Sequence, residues 1–385
     1  MVMSEWREVC IRDIVSTLGD GLHGTPKYDD KGDFFFINGS NLLNGKIIIK
    51  PDTKRVLYEE YIKYQKPLND KTIMISINGT IGNVALYNGE KCILGKSACY
   101  FNVNEGIDKL FIKYIVTDND FQNYISQFAN GTTIKNVSLE VMRDYSFLLP
   151  PLPTQRAIAE ILSSLDDKIN LLTRQNATLE ALAQAYFRQW FVGEAGEDWD
   201  EKGLDDIADF LNGLPLQKYP CKTGEQLYVI KIKELNNGIS ENSDICTASI
   251  PQKYIVNPGD VIFSWSGSLT VDIWKYDKGA LNQHLFKVTS DKYPKWFYYY
   301  WIKYYLAEFR IIAESKATTM GHIQRGHLSS AKVLVPSDNE MSLFDKIMSP
   351  IIRKIESNNA QIQILQKLRD TLLPKLISGE VRVTL

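Results

Sequence analysis

The sequence of 385 residues has few cysteines and histidines, no long apolar run and no excess of charge of either sign. No stretch approaches the roughly 18 uncharged apolar residues of a membrane span, and the N-terminus lacks the apolar segment of a signal peptide. The cysteines are scattered and odd in number, which favours reduced thiols over a disulfide framework. We therefore expect a cytoplasmic protein. The cysteines are Cys10, Cys92, Cys99, Cys221 and Cys246.

The formal net charge is only −2, from 44 Lys and Arg against 46 Asp and Glu. Proteins that coat nucleic acid without regard to sequence usually carry a basic excess, so that class is disfavoured. The two signs are balanced along the whole chain, without a charged tail. A role with nucleic acid would therefore depend on the placement of charges on a surface, or on a partner.

Common motifs of catalysis and cofactor binding are also missing. LGKS (94–97) resembles the end of a phosphate-binding loop, but Glu90 stands where that motif requires its first glycine. A strand followed by a turn is the favoured interpretation of this segment and of its repeat partner, LNQH (281–284). No GxGxxG loop, methyltransferase Asn-Pro-Pro motif, nuclease motif, CxxC pair or HExxH pair is present. We expect no catalytic residue and no metal ligand in this chain.

What the sequence does contain is an internal repeat that covers nearly its whole length. Several segments recur in the same order about 190 residues later, with small differences in offset. A single match would be chance, but an ordered series indicates a duplicated unit. The clearest pairs are EWREVCIRDI (5–14) with DWDEKGLDDI (198–207), IMISINGTIG (73–82) with VIFSWSGSLT (261–270), and 132–150 with 318–336.

The first part of each copy resembles a compact α/β domain. In copy one the runs FFFIN, IIIK, TIMIS and VALY predict strands, separated by Asn-Gly turns. A helical stretch at about 107–128 corresponds to the aromatic segment 295–311 in copy two. The aromatic run could form a base-stacking platform, but its helical context favours packing in a core.

The second part of each copy is a long helix with an apolar heptad seam. The first helix follows Pro150-Pro151-Leu152-Pro153, and Ser164 to Asp167 suggests a start or kink in it. The second is expected to begin near residue 350, with Ser349 as N-cap and Pro350 at the first position, and to end by Pro374. The predicted helix-pair interface comprises Leu165, Ile169, Leu172, Asn176, Leu179, Tyr186, Ile351, Ile355, Asn358, Ile362, Leu365 and Leu372.

Two such seams are best buried against each other as an antiparallel pair. About 24 helical residues span about 36 Å, close to the roughly 34 Å between half-sites one DNA turn apart. This suggests a rod that holds two domains one DNA turn apart. An Asn176–Asn358 contact could set the pairing, but solvent-facing asparagines are the alternative.

Four regions are predicted: α/β (α+β) domains at 1–150 and 197–336, and helical spacer regions at 151–196 and 337–385. Polar loops of the two α/β domains are candidates for contact with DNA, because Asn, Gln, Thr, Ser, Lys and His hydrogen-bond bases or phosphates. Ordinary turns are the alternative for each loop. The candidates are His23, Thr25, Lys27, Asn78, Thr80, Thr132, Thr133, Lys135, Asn136, Ser266, Ser268, Thr318, Thr319, His322 and Gln324.

Two segments of the sequence resemble those of a known protein family. PPLPTQRAIAEILSSLDDKINLLTRQNATLEALAQAYFRQWFV (150–192) is similar to the central region of type I restriction–modification specificity subunits, and LRDTLLPKLISGEVRV (368–383) resembles their ending. The resemblance implies two target recognition domains, each recognising one half of a split sequence in double-stranded DNA, and a helix pair that sets the spacing. One departure is that 337–350 lacks the PLPxQ phrase of the first copy.

The resemblance also implies partners. Two methyltransferase (modification) subunits would dock on the helical regions, and translocating restriction subunits (restriction/translocase subunits) would join them. S-adenosylmethionine, ATP and magnesium would then belong to the partners, and this chain would be non-catalytic. Two other classes remain open: a coiled-coil adaptor that joins proteins without touching DNA, and an enzyme built on one α/β domain.

Overall fold

A computed structural model describes residues 6–131, 135–315 and 321–383. The chain forms two compact units: unit 1 comprises 1–168 and 366–385, and unit 2 comprises 169–365. Each unit therefore combines one α/β domain with a part of each long helix. Within the described residues, no helix is long and apolar enough to cross a membrane.

The α/β domain of unit 1 is built from short strands with helices at its start, middle and end. A 3-10 turn lies at Gly39–Asn41. The elements are β1 (Arg7–Cys10), α1 (Ile11–Ile14), β2 (Val15–Asp20), β3 (Phe34–Ile37), β4 (Leu42–Leu43), β5 (Lys46–Ile47), β6 (Arg55–Val56), α2 (Tyr58–Tyr64), β7 (Thr72–Ser76), β8 (Val84–Leu86), β9 (Cys92–Leu94), β10 (Ala98–Val103), α3 (Lys109–Thr117), α4 (Asn119–Gln127), α5 (Leu139–Asp144) and β11 (Ser146–Leu149).

The central sheet of this domain has the order β2-β10-β7-β8 and is antiparallel throughout. Every residue of β7 and β10 is buried, as expected for apolar runs at the centre of a sheet. A second sheet, β6-β3-β9, pairs β3 with β9 in parallel, β4 pairs with β5, and β1 closes the domain by pairing with β11.

The α/β domain of unit 2 follows the same plan. Further 3-10 turns lie at Leu216–Lys218 and Gln252–Tyr254. The elements are β12 (Asp200–Gly203), α7 (Leu204–Ile207), β13 (Asp209–Asn212), β14 (Gln226–Ile230), α8 (Ile232–Asn237), β15 (Ile245–Thr247), β16 (Ile255–Val256), β17 (Val261–Ser264), β18 (Val271–Ile273), β19 (Gly279–Leu281), β20 (Leu285–Thr289), α9 (Lys295–Ser315), α10 (Arg325–Ser330) and β21 (Lys332–Val335).

The central sheet and the terminal strand pair of unit 2 match those of unit 1, which confirms the duplication. The order β13-β20-β17-β18 corresponds to β2-β10-β7-β8, and β12 pairs with β21 as β1 pairs with β11. The second sheet again contains a parallel pair, β14 with β19. Strand β15 pairs with β14 as β6 pairs with β3, and the sheet gains one strand, β16, at the edge formed by β19.

Local turn chemistry was predicted well, and one strand was predicted too long. Asn44 and Gly45 have φ angles of 52° and 76°, the left-handed values that a two-residue hairpin turn demands at both positions. The strand that follows ends at Ile47, whereas the IIIK run predicted pairing as far as Lys50. Ile48 and Ile49 are instead exposed, at 38% each.

The aromatic segment of unit 2 is core, as predicted. The side chains from Trp296 to Trp301 are all buried, and the helix that carries them packs against the central sheet. Tyr304 is 45% exposed. In unit 1 the corresponding helical stretch is divided in two at Asp118, whose side chain accepts a hydrogen bond from the backbone N–H of Asp120 and caps α4.

The two long helices are longer than the sequence predicted. Helix α6 (Leu152–Arg188) runs through Ser164–Asp167 without a new start and continues into a π-helical turn, Gln189–Gly193. Helix α11 (Asp338–Ile377) begins well before residue 350 and passes through both Pro350 and Pro374.

The true start of α11 is a capping box. The Ser337 hydroxyl accepts from the Glu340 N–H at 3.4 Å, and Glu340 accepts from the Ser337 N–H at 3.1 Å. The predicted start at Ser349-Pro350 is wrong, because the helix around it is held by packing. Met348 and Ile352 are buried in the core of unit 2, and this packing outweighs the cost of a proline in the helix interior.

The helix pair is antiparallel, as predicted. In unit 2 the Asn358 amide donates to the Asn176 carbonyl oxygen at 2.9 Å, and Asn176 donates to Asn359 at 2.8 Å. Further along α6, the ring of Trp190 stacks on that of Phe344, which lies further back along α11. The contact between the two seam asparagines therefore forms, and none of the predicted interface residues is exposed.

Candidate nucleic-acid interface

In unit 1, loops that are distant in sequence meet at one end of the central sheet. The Gly79 N–H donates to the Lys135 carbonyl at 2.9 Å, and the Asn78 amide donates to the Asn136 side chain at 3.1 Å. Gly79 has a φ of 76°, which favours glycine at this turn. The structure thus joins two of the predicted loops, 78–80 and 135–136, into one surface.

A third loop, residues 95–97, adjoins them. The Ile77 N–H donates to the Ser97 carbonyl at 2.9 Å. On its other side, the Leu22 N–H donates to the Leu94 carbonyl at 2.7 Å, which places this loop beside the predicted loop 23–27. Four segments therefore form one continuous edge.

Most of the candidates in unit 1 are accessible. His23 pairs with Asp20, and the Lys27 backbone N–H donates to Glu60. Thr132 and Thr133 lie outside the described residues. The exposed candidates are His23, Thr25, Lys27, Thr80, Lys135 and Asn136, and Asn78 is half-buried.

Unit 2 builds the equivalent edge with the same backbone contacts. The Gly267 N–H donates to the Gly321 carbonyl at 2.9 Å, and the Ile323 N–H donates to the Trp265 carbonyl at 3.0 Å. Ser266 pairs with His322 as Asn78 pairs with Asn136. Ser268 and Gln324 are exposed and His322 is half-buried. Thr318 and Thr319 lie outside the described residues.

Ser266 departs from the expectation of a surface contact. Its side chain is only 3% exposed, and its hydroxyl lies 3.0 Å from Nδ1 of His284. The imidazole Nε2 in turn lies 3.3 Å from the amide nitrogen of Gln283. The buried hydroxyl therefore holds a neighbour in place, and Gln283 and His284 belong to the same loop edge, although they were not among the predicted candidates. Their alignment with Lys96 and Ser97 was the available signal.

An arginine supports the edge in each unit. Arg143 donates to the Leu18 carbonyl at 3.3 Å, and Arg325 donates to the Phe210 carbonyl at 3.1 Å. These carbonyls lie on the equivalent strands β2 and β13. Arg325 is exposed, directly after Gln324, and adds a positive charge to the edge that the list of candidates omitted.

Three of the cysteines, Cys92, Cys99 and Cys246, lack the environment of reactive thiols. Burial raises the pKa of Cys92 to about 12, and burial also raises the pKa of Cys99 and of Cys246. Protonated thiols are poor nucleophiles and poor metal ligands. Among the described residues, no group of three or more His, Cys, Asp or Glu is placed to hold a metal ion.

In unit 1 a charged cluster anchors the α/β domain on the helices. Asp166 accepts from Lys113 at 2.8 Å, from the Tyr114 hydroxyl at 2.8 Å and from Arg369 at 2.9 Å. Burial alone would raise the pKa of Asp166, but the Lys113 charge and these hydrogen bonds outweigh it and lower that pKa. Burial lowers the pKa of Lys113 more than Asp166 raises it.

Unit 2 uses a different anchor. Glu180 of α6 accepts from the Tyr300 hydroxyl at 3.0 Å and pairs with Lys303, and Lys295 donates to Glu356 of α11 at 2.6 Å. In both units, ion pairs between the long helices and the first helix after the central sheet hold the loop-bearing domain in place.

Comparison with known proteins gives consistent results. The family model described as type I restriction modification DNA specificity domain matches residues 3–181 and 196–367. The specificity subunit of the type I restriction enzyme MjaIX from Methanocaldococcus jannaschii is 25% identical over 415 residues, covering 99% of this chain and 95% of the relative. The HindI specificity subunit from Haemophilus influenzae is 20% identical over 474 residues, covering 98% and 100%.

A solved structure supports the fold. The S subunit of a type I restriction–modification system from M. genitalium superimposes with a TM-score of 0.60 at 18% identity, covering 98% of this chain and 97% of that chain. The two family matches coincide with the two copies of the repeat and together cover most of the sequence. The chain belongs to the type I restriction modification DNA specificity family.

Proposed function

We propose that this chain recognises a DNA sequence made of two separated halves, one with each α/β domain, and assembles the other subunits of a type I restriction–modification complex around it. A specificity subunit is the DNA-recognition component of such a system and not its catalytic component. S-adenosylmethionine, ATP and magnesium would be bound by the partner subunits, and the complex would act in the cytoplasm.

The observation that carries this proposal is the pair of equivalent loop edges. Each edge is built by the same backbone hydrogen bonds, Gly79 to Lys135 in unit 1 and Gly267 to Gly321 in unit 2. The side chains on the two edges differ, with Asn78 and Asn136 in one and Ser266 and His322 in the other. A common frame with different side chains suits two readers of different base sequences.

The helix pair offers a surface for the partner subunits. In α11 the heptad seam continues towards the N-terminus through Phe344 and Met348. In unit 2, several apolar side chains lie one residue before or three residues after a seam position, so they lie on the same side of the seam on each helix. Because the two helices are antiparallel, the same side of each seam lies on the same side of the pair. These side chains therefore form one common face. An exposed apolar face of this kind is typical of an interaction site. The residues are Leu171, Leu182, Leu343, Ile347 and Ile364, exposed by 42%, 43%, 59%, 43% and 65%. We assign this face to helices of two methyltransferase subunits.

The test is selection of DNA from a random library by the chain co-purified with its methyltransferase subunits. The expected result is a motif with two fixed halves and a spacer of constant length. The same complex should methylate DNA that carries this motif.

The alternative is a coiled-coil adaptor that joins proteins without touching DNA. An assembled complex that retains no sequence motif from the library would support the adaptor and overturn the proposal. Methylation or cleavage by the purified chain alone would contradict the non-catalytic assignment.

A further inference from the structure

The turns that the sequence pairs as LGKS and LNQH occupy equivalent places on the two loop edges. The Ala98 N–H donates to Gly95, and the Leu285 N–H donates to Asn282, both at 3.0 Å. The preceding residues match as well, since Leu22 donates to Leu94 and Leu214 donates to Leu281. Lys96 in unit 1 is therefore the structural counterpart of Gln283 in unit 2.

Hydrogen bonds hold the backbone around Gln283 in place. Its backbone N–H donates to the Leu214 carbonyl at 2.9 Å. The neighbouring Asn282 is only 3% exposed, and its side chain accepts from the His284 N–H at 3.2 Å. The side chain of Gln283 itself is half-buried, so the backbone is held while the amide reaches the surface of the edge.

A chain of hydrogen bonds orients that amide. The amide nitrogen of Gln283 lies 3.3 Å from His284 Nε2, and His284 Nδ1 lies 3.0 Å from the hydroxyl of buried Ser266. In a neutral imidazole one ring nitrogen accepts and the other donates. When the Gln283 amide donates to Nε2, the Nδ1–H donates to the Ser266 hydroxyl.

This arrangement leaves the Gln283 amide with one N–H donor and one carbonyl acceptor. Adenine presents the complementary pair in the major groove, the N7 acceptor and the N6 amino donor. Lys96, at the equivalent place in unit 1, has donors only, which suits the O6 and N7 acceptors of guanine or a phosphate. The two turns therefore carry different recognition chemistry in the same frame.

We propose that Gln283 recognises an adenine in the half-site bound by the second α/β domain, and that His284, held by Ser266, is the positioning residue for its amide. The proposal rests on the proposed function. It adds a base and two residue roles that family membership does not assign. Lys96 is expected to act at the corresponding place in the other half-site.

The experiment selects DNA from a random library with the chain in complex with its methyltransferase subunits, and compares base preferences position by position. Gln283→Ala should weaken the preference for adenine at one position of one half-site by about 5-fold to 150-fold, which corresponds to ~1–3 kcal/mol for a bidentate contact. All other positions should keep their preferences. Gln283→Glu, of the same size but without the donor, should move the preference at that position towards cytosine.

His284 is tested by a pair of variants. His284→Ala should weaken the preference at the same position as Gln283→Ala. His284→Gln restores an amide within reach of Gln283 and should recover part of the preference. A merely structural role for His284 would instead lower binding equally at every position, and that outcome would overturn its positioning role.

Lys96→Ala is the matched control, because it changes the equivalent turn in unit 1. Its effect should be confined to the other half-site. If the wild-type complex selects a split motif but Gln283→Ala leaves every base preference unchanged, the inference is wrong while the proposed function stands. If the wild-type complex selects no motif, the proposed function itself fails.

Discussion

Asp166 joins the first α/β domain to both long helices. It is the common acceptor for Lys113 and Tyr114 of the domain and for Arg369 of α11, and its side chain is only 20% exposed. Removing one partner from a largely buried ion cluster costs more than the cluster contributes, since the remaining charges stay desolvated.

Asp166→Asn should therefore destabilise unit 1 by about 2–4 kcal/mol at neutral pH, measured as a lower temperature for its unfolding transition. The pKa of Asp166 is lowered in the folded chain, so its stabilising effect is present above the ordinary aspartate pKa of about 3.9 and is lost as the pH falls through the lowered value. The difference between wild type and variant should shrink below about pH 4. Asp167→Asn, at the exposed neighbouring position, is the control and should have little effect.

For single residues, the sequence predicted which residues lie on the loop edges better than it predicted what each side chain does there. Asn78, Lys135 and Asn136, three of the predicted candidates, lie together on the loop edge of unit 1. Ser266 was expected as a surface contact on the equivalent edge of unit 2, but it is buried, and its hydroxyl lies 3.0 Å from Nδ1 of His284. The burial of a side chain depends on residues that are distant in the sequence and pack over it. Nothing in the sequence near Ser266 predicts its contact with His284.

Among the elements, α11 shows how packing overrides a local signal. Ser349-Pro350 has the features of a helix start. The helix nevertheless begins directly after Ser337, which forms a capping box with Glu340. This capping box was not predicted from the sequence. Pro350 therefore lies in the helix interior, where it has no N–H to donate to the carbonyl of Lys346.

Pro350→Ala is predicted to stabilise unit 2 by about 1–3 kcal/mol, because it restores that hydrogen bond and removes the clash of the proline ring. Thermal unfolding measures the change. A helix that began at residue 350 would make the same substitution neutral or destabilising, so a fall in stability would contradict the continuous helix. Pro51→Ala, in an exposed turn, is the control and should change stability by less than about 1 kcal/mol.

At the scale of the whole molecule, the lengths of the two long helices bear on the spacing of the DNA half-sites. The helices have 37 and 40 residues, whereas the comparison with one DNA turn assumed about 24 helical residues. The agreement between helix length and one DNA turn is therefore lost. The antiparallel pairing through the heptad seam is confirmed. Whole heptads can therefore be added to both helices while their apolar seams continue to face each other.

Inserting one heptad after Leu171 and one after Gln363, at facing places in the pair, should lengthen the spacer between the two half-sites by about 3 base pairs. Seven residues add about 10.5 Å of helix, and one base pair occupies about 3.4 Å. Selection of DNA by the assembled complex measures the spacer. A selected spacer of unchanged length would contradict the spacing role. A heptad in α6 alone, which breaks the register of the pair, should abolish assembly.

The sequence by itself determined the duplicated plan, the two amphipathic helices and the glycine turns such as Asn44-Gly45. These depend on periodicity and local backbone preference, which a short window of residues contains. Only the tertiary structure decided where α11 begins, that Ser266 turns inward, and that the turns carrying Lys96 and Gln283 join the loop edges. Each of these depends on packing or hydrogen bonds between residues far apart in the chain, and free energy from such contacts outweighs the local preferences that a sequence displays.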